Sequence, residues 1–153
     1  MTTDTTSSEG ASPVANEVQI LVVDDEPGLR LALGDVLSRA GYKVRTVADA
    51  EAALDDLHAS RADVLITDVI LPGQNGAELI KRVRVLYPST RIIAISGGGG
   101  FGVTGYKPEA ITTVSYLAAC RTAGAHAVLA KPFKVAEILE TIRRVQDVTL
   151  TRH

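Results

Sequence analysis

Four charged residues stand where apolar runs end. Ile20-Leu21-Val22-Val23 leads directly into Asp24-Asp25, Val64-Leu65-Ile66-Thr67 into Asp68, and Ala127-Val128-Leu129-Ala130 into Lys131-Pro132. Crowded carboxylates repel one another unless a cation or protons intervene. Hard divalent cations take oxygen ligands, and Mg²⁺ keeps several waters while using one or two carboxylates and a phosphate oxygen. A carboxylate can itself accept a phosphoryl group, and the charge of that group calls for cations beside it, which a metal and Lys131 would supply. Ser96, closing the apolar run that begins at Arg91, could add a hydroxyl donor. A lone Asp after a strand is more often a helix cap or turn residue. The joint pattern, acids after two strands, a hydroxyl after a third and a lysine after a fourth, points instead to a metal-dependent phosphoryl site.

The elements that must position these groups alternate along the chain. The first strand is expected over Val18–Val23, and a helix follows from Pro27, with Leu29, Leu33, Val36, Leu37 and Ala40 on one face and Gly41 as its stop. Tyr42–Val47 alternates as a strand. Asp49 is a candidate N-cap for a helix that turns Ala50, Ala53, Leu54 and Leu57 inward. Val64–Thr67 is the third strand. Asn75 and Glu78 have the spacing of a capping box before a helix burying Leu79, Ile80, Val83 and Leu86. Arg91–Ile95 is the fourth strand, Thr113–Thr122 a helix closed by Gly124, and Ala127–Ala130 the fifth strand. Val135, Ile138, Leu139, Ile142 and Val145 form the stripe of a last helix.

Five strand–helix units with near-continuous apolar strands describe a sheet covered on both faces. The expected class is α/β: a doubly wound, five-stranded parallel sheet in a (βα)5, flavodoxin-like three-layer sandwich, with strand order 2-1-3-4-5. In that order strands one and three are neighbours at the switch point, so Asp24, Asp25 and Asp68 converge at the carboxyl edge. The chain has 153 residues, 46% of them hydrophobic and 22% charged, enough for one domain with a real core. Residues 1–16, mostly Thr, Ser, Asp, Glu, Gly, Ala and Pro with almost no bulky apolar residue, are expected to be a flexible tail, 17–148 the domain, and 149–153 a C-terminal tail. A net charge of -2 without a Lys/Arg cluster gives no reason to expect nucleic acid. One cysteine excludes an internal disulfide, and Cys120 is read as a small buried hydrophobe. No apolar run reaches the length of a membrane span and no secretory signal is visible, so the expected location is the cytoplasm. His58, His126 and His153 are isolated in sequence and receive no role.

The segments Ile20 to Glu26, Thr67 to Gly73 with Gly76, Ile95-Ser96 and Lys131-Pro132-Phe133 resemble the receiver domain of bacterial two-component response regulators over roughly Glu17 to Val148. The resemblance implies that Asp68 is the phosphoacceptor. It implies a Mg²⁺ site made by Asp25, Asp68 and the backbone carbonyl of Ile70, with Asp24 assisting. Ser96 takes the place of the switch hydroxyl and Lys131 that of the phosphoryl-pairing lysine, with Lys131–Pro132 expected to be cis. Gly73 and Gly76 would let the loop after Asp68 turn tightly. The implied function is a stand-alone phosphoacceptor switch in a phosphorelay, not an enzyme, fed by a sensor histidine kinase or a histidine phosphotransfer protein. It would act on an undefined downstream protein, or by onward transfer, as a monomer or a phosphorylation-dependent dimer. Two other readings compete: a phosphorylation-independent receiver-like interaction module, and a Mg²⁺-dependent phosphatase, which Ile70 in place of a second acid disfavours.

Two features depart from the resemblance. Val128 stands where these domains usually carry an aromatic residue, so the usual hydroxyl–aromatic coupling is not expected. The stretch from Gly97 to Thr112 is long and glycine-rich, with Phe101 and Tyr106 interleaved. Its G-x-G-x-x-G match (Gly100 to Gly105) lacks the acidic residue about 20 positions on that a dinucleotide ribose needs. The loop is expected to order on phosphorylation, with Phe101 or Tyr106 docking in place of the aromatic. Ile70 and Gly98 offer no group to orient a hydrolytic water, so intrinsic dephosphorylation is expected to be slow.

Overall fold

Runs of aliphatic residues too short for helices become strands, and each is followed by a helix. The computed structural model describes residues 18–71, 74–96 and 118–151, without the side chains of 70, 71, 74, 75, 96 and 147–151. The elements are β1 (Gln19–Val23), α1 (Pro27–Arg39), β2 (Lys43–Val47), α2 (Ala50–Ala59), β3 (Val64–Asp68), α3 (Gly76–Leu86), β4 (Arg91–Ser96), α4 (helical over 118–123), β5 (Ala127–Ala130) and α5 (Val135–Thr151). All five strands are parallel, in the order β2-β1-β3-β4-β5. The expected 2-1-3-4-5 order is therefore the order found. A separate two-residue antiparallel ladder, Ile70–Leu71 with Gln74–Asn75, follows β3.

The alternation of strand side chains sorts the core into two layers. Ile20, Val22, Val64, Ile66, Ile93 and Ile95 point to the face covered by α1 (Leu33, Leu37) and α5 (Ile138, Ile142, Val145). Leu21, Val23, Leu65, Ile92 and Ala94 point to the other face, under α2 (Ala53, Leu57), α3 (Leu79, Ile80, Val83) and Cys120 of α4. Both faces being covered is why the central strands carry no polar alternation.

Helix ends follow local chemistry. The Asp49 carboxylate accepts the Ala52 amide at 2.8 Å and caps α2. Pro27 opens α1 at a position where no amide donor is required. Gly41, with φ +104°, ends it while its own N–H and that of Tyr42 bond to Ser38 and Leu37 carbonyls. Gly124, with φ +125°, closes α4 in the same way through Arg121 and Cys120.

Three residues expected on apolar faces are exposed. Ala40 is the C-cap of α1, where the chain already leaves the helix. Leu86 and Val135 are the last residue of α3 and the first of α5, 54% and 51% exposed, because terminal turns project past the sheet they cover. The Asn75 side chain, Gly73, most of the expected fourth helix and the Gly97–Thr112 stretch lie outside the described residues, as do 1–17. Among the described residues, no helix is long and apolar enough to cross a membrane.

Candidate functional site

Because the strands are parallel and in register, with Val23 opposite Thr67, Asp68 opposite Ile95 and Ser96 opposite Ala130, their carboxyl ends form one edge. Asp24 and Asp25 follow β1, Asp68 ends β3, and Lys131 follows β5. One carboxylate oxygen from each of Asp24, Asp25 and Asp68 falls within 4.8 Å of the others. Asp24 and Asp68 are buried and Asp25 is exposed. Lys131 Nζ reaches across from the far side, 3.2 Å from Asp68 Oδ2, 3.5 Å from Asp24 Oδ2 and 3.9 Å from Glu26 Oε1.

Three hydrogen bonds hold Asp24. Its N–H donates to the Val47 carbonyl at the end of β2 (3.1 Å). Its Oδ1 accepts the Glu26 amide (2.8 Å), and its carbonyl accepts Arg30 Nη1 from the first turn of α1 (2.7 Å). Its Oδ2 is buried and accepts no hydrogen bond, although Lys131 lies near. Burial pushes the Asp24 carboxyl up to about 6; the Glu26 amide and Lys131 oppose this, and Asp68 adds to it. For Lys131, burial pulls its ammonium down, but the charges of Asp68 and Asp24 outweigh that and hold it above its ordinary value. A buried acceptor without a donor, in a group of three acids facing one lysine, is the electrostatic condition a divalent cation relieves.

Gly76 lets the following loop close over the site. A Cβ there would press on the Asp68 carbonyl oxygen and lie 2.8 Å from Val69 Cα. Its amide bonds the Val69 carbonyl at 2.6 Å, and Val69 N–H bonds Ile95 O, which ties the loop to β4. The glycine is thus needed for close backbone approach; its φ is not positive. The Lys131–Pro132 bond is cis, as expected.

A sequence profile described as the response regulator receiver domain matches residues 20–143. The chain belongs to this family. Its receiver domain is 37% identical over 129 residues to the sensory/regulatory protein RpfC of Xanthomonas campestris pv. campestris, covering 82% of this chain and 16% of that protein. It is 29% identical over 126 residues to sporulation initiation phosphotransferase F of Bacillus subtilis, covering 82% of this chain and 91% of that protein. The chain therefore spans a small part of RpfC and nearly all of the phosphotransferase. Among solved structures, the chemotaxis response regulator CheY4 of Vibrio cholerae superposes with a TM-score of 0.68 at 33% identity, over 84% of this chain and 98% of that one.

Within this receiver domain, Asp24, Asp25, Asp68 and Lys131 come together as their spacing suggested. Ser96 ends β4 beside Ala130 and Ile70 pairs with Asn75, but both side chains lie outside the described set. Val128 is half-buried against the α2/α3 core layer. Burial raises the Cys120 thiol to about 11, so it is a core residue and not a thiolate. Sequence reasoning passed over Arg30 and Glu26. The signal was present, since a cation one helical turn after Glu26 faces back toward the strand end that feeds α1.

Proposed function

We propose that this receiver domain is a phosphorylation-controlled switch whose acceptor is Asp68. The observation that carries the reading is the convergence of Asp24, Asp25 and Asp68 within 4.8 Å, with Lys131 Nζ 3.2 Å from the Asp68 carboxylate. A carboxylate oxygen of Asp68 attacks the phosphorus of a phosphohistidine on a kinase or phosphotransfer protein. The new O–P bond forms as the P–N bond breaks, and the released imidazole nitrogen takes up a proton. Lys131 would offset the charge carried into the pocket, and Ser96, whose backbone ends the neighbouring strand β4, would supply the hydroxyl that donates to a phosphoryl oxygen. Asp24, Asp25, Asp68 and the Ile70 carbonyl would hold Mg²⁺, which when bound neutralises charge on the phosphoryl oxygens. Holding Asp24 in place falls to Arg30 and the Val47 carbonyl, which bond its backbone.

The protein is a phosphoacceptor that assists its own modification, with no separate substrate turned over. Its partners in this reading are a cytoplasmic histidine kinase or phosphotransfer protein upstream and a protein target downstream. Val128 in the aromatic position favours one competing reading, an interaction module independent of phosphorylation. A single experiment separates the two. Incubation with acetyl phosphate and Mg²⁺ should add one base-labile phosphoryl mass, which Asp68→Asn abolishes. No uptake, with the fold intact, would leave the interaction module.

A further inference from the structure

The outer face of α3 carries apolar and cationic groups that neither the core nor the chemistry at Asp68 uses. One side of this helix packs on the sheet, where Leu79, Ile80 and Val83 are fully buried. On the other side, spacings of three and four residues set Lys81 and Arg82 one turn ahead of Val85. Val85 is 78% exposed, the most exposed large apolar side chain among the described residues, and Leu86 beside it is also exposed. Together with Glu78, these four residues line an open depression of about 350 Å³. A β-branched side chain at a solvent-facing helical position loses rotamer freedom and gains no burial. Val85 therefore adds nothing to the stability of α3 in the isolated domain.

The two cations are not neutralised within the chain. On α1 and α5, exposed arginines pair with an acid one turn back, Arg39 with Asp35 and Arg143 with Glu140, each at 3.1 Å. Glu78 has the same spacing from Lys81 and Arg82, yet neither forms an ion pair among the described residues. This charge decides the occupant. A second copy packed on the same face about a two-fold axis would gather four cations, with only the two Glu78 carboxylates among them. Like charges brought together across an interface oppose it, whereas an acidic partner turns the same charges into attraction. Cations and apolar groups one helical turn apart match the spacing of a second helix lying along the first.

We propose that the outer face of α3 is a docking surface for an acidic amphipathic helix of another protein. Apolar side chains of that helix would seat on Val85 and Leu86, and its carboxylates, one turn away, would meet Lys81 and Arg82. The apolar contact supplies the desolvated centre of the interface, and the charge pairs at its rim select an acidic partner and fix its register. The surface stands whether or not Asp68 is phosphorylated.

The test uses the ¹³C,¹⁵N-labelled full chain, unphosphorylated and at low salt. A synthetic helical peptide with leucines on one face and glutamates on the other should shift the signals of Lys81, Arg82, Val85 and Leu86 saturably, and sodium chloride should weaken the response. The same peptide with lysine in place of glutamate should bind about tenfold more weakly or worse. Lys81→Glu and Val85→Ser, with amide spectra otherwise native, should each weaken binding of the glutamate peptide by about tenfold. No saturable shift, equal affinity for the two peptides, or unchanged affinity in both variants would each overturn the docking surface. Signals of these four residues that move on dilution of the free protein would give the face to a second copy. Nuclear Overhauser contacts between the Val85 methyls and residues 1–16 would give it to the chain's own amino-terminal segment. Either result also overturns the proposal. Should a variant fail to fold, the two peptides on the unsubstituted protein decide by themselves.

Discussion

Replacing Asp24 by Asn should stabilise the metal-free protein while removing its response to Mg²⁺. Asp24 is 2% exposed, its Oδ2 accepts no hydrogen bond, and its carboxyl is raised from 3.8 to about 6. A raised carboxyl contributes stability in full below its unfolded value, near 3.8, and that contribution is lost as pH rises through about 6. At pH 7.5 the ionised form thus costs about 3 kcal/mol, from about 1.4 kcal/mol per unit. Asn has no charge to bury and relieves the repulsion from Asp25 and Asp68, but it gives up the attraction of Lys131, 3.5 Å away. The net gain expected is about 1–2 kcal/mol in EDTA, measured by urea denaturation at pH 7.5, and it should shrink toward zero at pH 4. Saturating Mg²⁺ should stabilise the unsubstituted protein by about 2.7 kcal/mol at a hundred times its dissociation constant, and Asp24→Asn far less. A variant less stable than the parent in EDTA, or one that Mg²⁺ stabilises equally, would refute this electrostatic account of the site.

Three further outcomes are expected. Gly76→Ala forces backbone against backbone at Asp68 and Val69; it should cost about 2 kcal/mol or more and weaken Mg²⁺ binding, both read by thermal melts with and without the ion. Arg45→Met removes a paired contact to Asp56 and bonds to Gln19, Ser60 and Arg61. With both ion-pair side chains only 25% and 20% exposed, its loss should cost roughly 1–3 kcal/mol in denaturant titrations. His126 has its folded value lowered from 6.5 to about 4, so its contribution is present above 6.5 and lost as pH falls toward 4. This amounts to roughly 1–2 kcal/mol once solvent screening is allowed for, and the slope should flatten in His126→Gln.

The strands and the acid cluster were legible because both depend on short-range patterns. Val64 to Thr67 can be read as a buried strand from four residues, and Asp68 as a sheet-edge group from its place after them. The parallel order then does the rest, since it carries Asp24, Asp25, Asp68 and Lys131 to one edge without any pairwise signal between them. Contacts that join distant elements side by side left no such trace. His126 looked isolated because Arg84 and Arg91 are 42 and 35 residues away. Arg45 read as one residue of an alternating strand, yet it closes the end of α2 by bonding the Ser60 and Arg61 carbonyls. Leu86 and Val135 fitted an apolar stripe, but periodicity does not tell where a helix outruns the sheet beneath it. Gly76 was correctly singled out, although for turning freedom; the cause is the bulk that a side chain would bring against Asp68 and Val69.

The central claim is that Asp68 itself carries the phosphoryl group. Acyl phosphates are cleaved reductively by borohydride, which leaves homoserine at the modified aspartate. After reaction with acetyl phosphate and Mg²⁺, borohydride treatment and peptide mass spectrometry should find homoserine at position 68 and nowhere else, with none when EDTA replaces Mg²⁺. Homoserine at position 24 or 25, or equal labelling without the metal, would contradict the assignment of acceptor and metal roles within the cluster.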